Sequence, residues 1–432
     1  MKILQVVHEF PTGTISVGGT GIYTYNLAKE LGKRHEVYVF YPVNEPHKKP
    51  YTLEKKEQNG LHLIEINNRS SYLKAINPEF TYKNKKIDEK FETLVNEIKP
   101  DIVHFHHFLN LSFNLLMLSK KVGIPVVLTL ADYWLICHYS AHLLNSKANI
   151  CKFPSPEECT NCYINNLLDA VSKKTKLILF KNSFINTILK GFFTVRIFKK
   201  RFSLAREVIE KADIVISPSE SVKLLVLKYL HVNKEVKIIH HGVETEMLRK
   251  IKQISPNNLR FGYIGNMGKR KGLYLLIKAF NTLEYNNIEL QIYGISTSEQ
   301  QLIETFCLNK KHNIKIMGRF SNVSEPFSNI DVLVVPSITY EGYGLVVQEA
   351  FASNTPVIAS DIGALNEFVK HMKNGLLFRV GDANDLAEKM RTIAENPNLL
   401  YELKKGIPQI KSVKQYAKEL EEIYREKLIN RT

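Results

Sequence analysis

The chain has 432 residues, 44% hydrophobic and 24% charged, a globular composition with room for two or three domains. Lys plus Arg number 59 against 43 Asp plus Glu, a net charge of +16, which points to acidic partners: nucleotides, anionic lipid or nucleic acid. No zinc-finger, RNA-recognition or basic-zipper pattern is present, which sets nucleic acid aside.

Residues 2–7 (KILQVV) read as a first strand, and MKILQVVHEF lacks the apolar core and cleavage site of a secretion signal. No apolar run reaches the ~18 residues of a membrane span, so a cytoplasmic chain is expected. The loop GGTG follows, with Gly18 and Gly19, and then a helix. Glycines there let backbone amides approach a phosphate, although a tight turn without ligand would use them too. Residues 35–41 form a second strand, residues 44–60 a polar Lys-rich loop, and residues 61–66 a third strand. Residues 87–98 read as a helix stopped by Pro100. DIVHFHH, residues 101–107, is a strand running to the sheet edge. His104 and His106 alternate to one face, but no carboxylate or Cys follows at ligand spacing. Edge and cleft histidines are therefore expected there rather than a metal site. Another strand begins at Ile124 and leads into ADYW, residues 131–134.

Cys137, Cys151, Cys159 and Cys162 crowd into residues 137–162, while Cys307 stands apart. In a cytoplasmic chain such clustering suggests metal before disulfide, and four thiolates can close a tetrahedral structural zinc site. An iron–sulfur cluster, a disulfide or buried thiols are the alternatives. Residues 171–206 carry Lys and Arg (among them Arg196, Lys199, Lys200, Arg201 and Arg206) with no Asp or Glu. Apolar residues interleave at helical spacing, which predicts a basic amphipathic helix broken at Gly191. Such a helix either lies on an anionic membrane surface or packs on the first domain with a solvated basic face. Residues 213–219 give the last strand of a first domain, residues 1–241.

A second domain, residues 242–411, opens with LRFGYIGNMGKRKG. A strand ends at Gly265, and a helix begins near Gly272. Lys269, Arg270 and Lys271 sit in the loop between them, where a helix N-terminus already favours phosphate. Cations there can neutralise a leaving diphosphate; a solvated basic loop is the alternative. Residues 288–294, 314–320, 356–360 and 375–378 are further strands.

The most informative stretch is VVPSITYEGYGLVVQEAF, residues 334–351. A β-branched buried strand ends at Pro336, a short loop holds Glu341 and Tyr343, and a helix opens around Gly344, Leu345 and Val346. Free amides at that helix start favour an anion. Glu349 lies on the helix, seven residues beyond Glu341. This string and its continuation TPVIASDIGALNEFV resemble the E-x7-E signature of retaining family-4 glycosyltransferases.

The resemblance implies the GT-B fold: two Rossmann-like α/β domains with doubly wound parallel sheets facing across a cleft that holds a nucleotide-sugar. It implies that Glu341 meets the donor sugar, Glu349 the ribose, and Lys271 the leaving phosphate. Gly18 and Gly19 close over the donor phosphates or the acceptor. His106, His107 and Asp132 lie on the acceptor side. Gly294, Arg319 and Phe320 surround the base, and Tyr343, Gly344, Leu345 and Val346 complete the donor pocket. EVKIIHHGVETEML resembles the family's interdomain segment, and residues 412–432 hold a helix that crosses back to the first domain. Two positions depart from the pattern. Ala131 stands where the family has His beside the donor sugar, and Asn266 stands where it has Arg, with Lys269 or Arg270 as substitutes.

The expected activity is retaining transfer of a hexose from a UDP- or GDP-sugar to a hydroxyl of a glycan or lipid-linked acceptor in polysaccharide biosynthesis. No cofactor is expected for the chemistry, and peripheral contact with the inner membrane face is. The rivals are a non-catalytic nucleotide-sugar-binding protein, to which Ala131 and Asn266 point, and a nucleotide-sugar 2-epimerase on the same architecture.

Overall fold

The computed structural model describes residues 1–11, 17–68, 78–139, 141–147, 149–170, 193–248, 258–306 and 313–429. Cys307 and residues 171–192, the larger part of the basic segment, lie outside the described residues. The chain divides into two compact α/β units, Met1–His241 with Val413–Thr432 and Gly242–Ser412.

The first unit is built on an eight-stranded sheet. Its strands in chain order are β1 (Lys2–Val6), β2 (Glu36–Val43), β3 (Leu53–Gln58), β4 (Leu61–Asn67), β5 (Ile102–Phe105), β6 (Val126–Thr129), β7 (Ile214–Ser217) and β8 (Lys237–Ile238). They lie in the order β3-β4-β2-β1-β5-β6-β7-β8, and all pair in parallel except β3 with β4. β5 (IVHF) and β6 (VVLT) are buried along their whole length, as strands covered by helices on both faces must be. The expected loop over residues 44–60 is a correction. Its second half is β3, which forms a hairpin with β4 through Asn59 (φ 53°) and Gly60 (φ 75°). Two left-handed residues in a row suit an Asn-Gly hairpin turn. The Lys-rich character of β3 is that of a protected edge strand, not of a loop.

The C-terminal helix, Val413–Ile429, belongs to this first unit. Tyr416, Ala417, Leu420, Ile423 and Tyr424 join Leu27, Ala28 and Leu31 of the helix Gly19–Gly32 in one buried cluster. Their helical spacing puts a single apolar stripe against the sheet-covering layer.

The second unit holds β9 (Leu259–Ile264), β10 (Ile288–Tyr293), β11 (Asn313–Gly318), β12 (Val332–Val335), β13 (Val357–Ser360) and β14 (Gly375–Phe378). They pair in parallel in the order β11-β10-β9-β12-β13-β14. The order runs outward from β9 to β11, then returns to β12 and runs out on the other side. The β9/β12 junction is therefore the topological switch point, where loops diverge and leave a crevice at the carboxyl edge. In the first unit β1 and β5 hold the corresponding junction.

Candidate active site

At the switch point of the second unit two loops are tied together. After β9, a one-turn 3-10 helix, Lys269–Lys271, leads to Gly272 at φ 70°. A Cβ on Gly272 would stand 1.8 Å from the Pro336 carbonyl oxygen, so only glycine lets the two loops approach this closely. Ile338 donates its amide to the Arg270 carbonyl at 2.9 Å. Across this joint Lys271 Nζ reaches Glu341 Oε1 at 2.7 Å, and Ser337 Oγ donates to the same oxygen at 2.7 Å. Glu341 is buried and Lys271 half-buried, so this pair is less screened than one on the surface. Ser337 was not among the sequence candidates; its signal was its place directly after the Pro that ends β12.

The helix Leu345–Ala352 starts at Gly344, which takes φ 71°. The helix opens one residue later than the pattern predicts. The first amides of a helix have no intrahelical acceptor, so those of Leu345 and Val346 are directed out of its end. Tyr343 is buried edge-on against Phe368, 5.0 Å between centroids. Glu349 sits on the same helix, half-buried, and burial pushes its carboxyl up to about 8. Its side chain does not join the Lys271–Glu341 pair.

Asn266 is exposed, and its side-chain oxygen accepts from the Gly268 amide at 3.1 Å. It shapes the basic loop instead of presenting a cation. Lys269 is exposed and Arg270 half-buried. Gly294, at φ 86°, donates its amide to the Gly318 carbonyl at 2.8 Å. A side chain there would meet the Gly265 carbonyl oxygen at 2.8 Å, so the ends of β9, β10 and β11 lie close together. Phe320 packs edge-on against Tyr293 at 6.3 Å, and the neighbouring Arg319 is exposed.

The switch point of the first unit carries a second constellation. Gly18 donates its amide to Glu9 Oε1 at 2.8 Å, and His8 Nε2 lies 3.5 Å from the same oxygen. The His8 ring packs on His107 with centroids 4.0 Å apart, and His107 Nε2 lies 3.4 Å from Asp132 Oδ2. Gly18, Glu9, His8, His107 and Asp132 thus form one polar chain, with Gly19 at the start of the following helix and Ala131 beside its end. Burial would raise Asp132, but the His107 ring and the Trp134 amide overcome it and hold the carboxyl down at about 2. His8 is driven well below the ordinary histidine value, first by burial and then by His107. His8 and Glu9 escaped the sequence reading because they follow β1 without a motif.

His106 is buried, its Nδ1 lies 3.2 Å from the Tyr23 hydroxyl, and burial lowers it to about 3. The His104 ring packs against it at a tilt, centroids 3.9 Å apart, but its ring nitrogens meet the Tyr424 hydroxyl at 2.6 Å and Thr129 Oγ1 at 2.7 Å. The shared face of β5 thus holds buried histidines bonded within the first unit.

The described part of the basic segment also needs a correction. Arg201, counted with the cationic face, is wholly buried on the helix Phe193–Lys211. It donates to the carbonyls of Leu135 and Trp134 and lies 4.7 Å from the centroid of the Trp134 ring. Arg196, Lys199, Lys200 and Arg206 remain exposed, and Lys200 pairs with Glu79 at 2.8 Å. No described helix is long and apolar enough to cross a membrane.

Residues 244–409 match the family described as glycosyl transferases group 1, and residues 17–150 match glycosyltransferase family 4. The fold is that of sucrose-phosphate synthase from Thermosynechococcus elongatus, with a TM-score of 0.70, 18% identity and 99% of each chain covered. The chain belongs to the GT-B glycosyltransferases. An Anabaena protein solved in complex with UDP-glucose has the same fold, with a TM-score of 0.64 at 16% identity over 99% of this glycosyltransferase and 100% of that chain. An uncharacterized glycosyltransferase of Methanocaldococcus jannaschii is 31% identical over 165 residues, 38% of this chain and 44% of that one. A second from the same organism is 26% identical over 386 residues, 87% of this chain and 84% of that one. A capsular polysaccharide biosynthesis glycosyltransferase of Staphylococcus aureus is 27% identical over 154 residues, 35% of this chain and 40% of that one.

Proposed function

We propose that this glycosyltransferase moves a hexose, with retention of anomeric configuration, from a UDP- or GDP-sugar to a hydroxyl of a glycan or lipid-linked acceptor in polysaccharide assembly. The Lys271–Glu341 pair at the switch point of the second unit carries the reading. A cation and an acid are held together there beside a helix start, where diphosphate and sugar would meet.

In this reading Glu341, oriented by Ser337, accepts hydrogen bonds from donor sugar hydroxyls. Lys271, with Lys269 or Arg270, and the amides of Gly344 and Leu345 stabilise charge building on the departing diphosphate. Protein cations fill that role, so the proposal assigns no metal to the step. Burial raises the Glu349 carboxyl, which lessens its repulsion of the diphosphate. Glu349 bonds a ribose hydroxyl. Front-face attack lets the leaving phosphate take the acceptor proton, so no separate base is assigned. The S. aureus relative's role in capsule biosynthesis supports the polysaccharide setting, and the Anabaena complex supports a nucleotide-sugar donor. Salt-sensitive contact with anionic membrane through the basic segment belongs to the same proposal.

Ala131, in the position of the family His, favours one other reading: nucleotide-sugar binding with little or no transfer. A thermal-shift screen of UDP- and GDP-sugars identifies the donor. Donor consumption is then followed with and without acceptor, and the product anomer is read by NMR. Acceptor-dependent turnover with the donor's configuration supports the proposal. Inversion, or binding without turnover, overturns it.

A further inference from the structure

From Leu130 to Ser155 the described residues contain no helix or strand, although much of the segment is buried. Structureless stretches of this length are uncommon inside compact domains and call for something that fixes them. The segment, together with the start of the helix Pro156–Ala170, wraps a cavity of about 580 Å³. All four clustered cysteines line it, and none forms a disulfide. Cys159 and Cys162 are one helical turn apart and share a face. The turn holding Cys151 is closed by the Cys151 amide on the Leu143 carbonyl, at 2.7 Å. The Ser146 amide points at Cys162 Sγ, at 3.3 Å.

A second, independent observation stands beside the cavity. Arg201 is wholly buried, and among the described residues no carboxylate pairs with it. Its Nε has no hydrogen-bond partner. Its electrostatic neighbours are Cys159, Tyr82 and Cys137. A buried cation normally keeps a compensating negative charge.

We propose that Cys137, Cys151, Cys159 and Cys162 bind one structural zinc ion. Each thiol releases its proton to solvent and its thiolate sulfur bonds the ion. Four thiolates on a doubly charged cation leave a net double negative charge, which supplies the counter-charge that Arg201 lacks. As placed, no three His, Cys, Asp or Glu side chains among the described residues already share one ion, so the thiols close on it by turning into the cavity they line. A ligand set of four sulfurs selects a soft cation over magnesium or calcium. The ion staples a stretch that has little regular structure of its own, and it takes no part in sugar transfer.

The test uses the full chain, purified without chelator from zinc-supplied culture. Elemental analysis is expected to find one zinc per chain, released as the thiols are titrated with an organomercurial. Cobalt exchanged into the site should show the intense absorption of tetrahedral thiolate coordination. A membrane-permeant chelator should lower Tm, with zinc but not magnesium restoring it. Cys162→Ser should weaken zinc binding about tenfold or more. If that variant fails to fold, the wild-type metal content, thiol titration and cobalt spectrum still decide. A folded wild-type chain without stoichiometric zinc overturns the proposal. So does an iron–sulfur chromophore, a disulfide among the four, or zinc retained when all four are serine.

Discussion

Lys271 Nζ and Glu341 Oε1 are 2.7 Å apart, although seventy residues separate them in the chain. The pair exists because β9 and β12 are neighbours in the sheet and Gly272 lets the loops that follow them touch. Each partner holds the other's side chain in place before any donor binds.

Lys271→Met is therefore expected to lower turnover by about 10²–10³, the usual loss when one stabilising charge is removed. Glu341→Gln should fall in the same range, and the double variant should lose much less than the product of the two. Steady-state kinetics with the donor found by thermal shift measures all three. Additive losses would show that the residues act separately.

Glu349 gives a pH signature. Burial raises its carboxyl from the ordinary 4.5 to about 8, so between those values the folded chain holds a proton that the unfolded chain releases. Stability from this residue is thus intact below about pH 4.5 and is lost as pH rises towards 8. Glu349→Gln removes the loss. Because the side chain is only half-buried, the gain at pH 8 is expected to be about 1–2 kcal/mol, shrinking to nothing near pH 4.5. Urea unfolding at several pH values reads it, and a gain that did not depend on pH would contradict the assignment.

Gly272→Ala combines a left-handed backbone with a Cβ 1.8 Å from the Pro336 carbonyl oxygen. A cost of about 2–4 kcal/mol is expected, with loss of activity as the two loops separate. Gly381 serves as the control: it has φ 77° but nothing within 4 Å of an added Cβ. Gly381→Ala should cost about 1 kcal/mol. Equal losses at the two sites, measured by denaturant midpoint, would rule out the close approach as the reason for Gly272.

Ala131 adjoins Asp132 at the end of the polar chain that begins at Gly18. Restoring the imidazole with Ala131→His is expected to raise turnover while leaving donor binding nearly unchanged. An unchanged or lower kcat would remove the position from the catalytic set.

The sequence by itself determined the fold class and most of the elements, although it read the edge strand β3 as loop. Short apolar runs such as VLVV and VIAS read as strands buried on both faces, and each is followed by a glycine- or serine-marked loop into a helix. The E-x7-E string marked Glu341, and the basic loop marked Lys271, because loop residues after parallel strands are read locally. What the sequence could not determine was which side chains meet. Only strand order brings residue 271 to residue 341, and only packing decides that Arg201 turns inward while Lys199 and Lys200 stay in solvent. The same holds for the polar chain through Glu9, His8, His107 and Asp132, which joins three separate loops. Periodicity reports which face of an element is apolar, but a partner is chosen by distances that exist only once the sheet has closed.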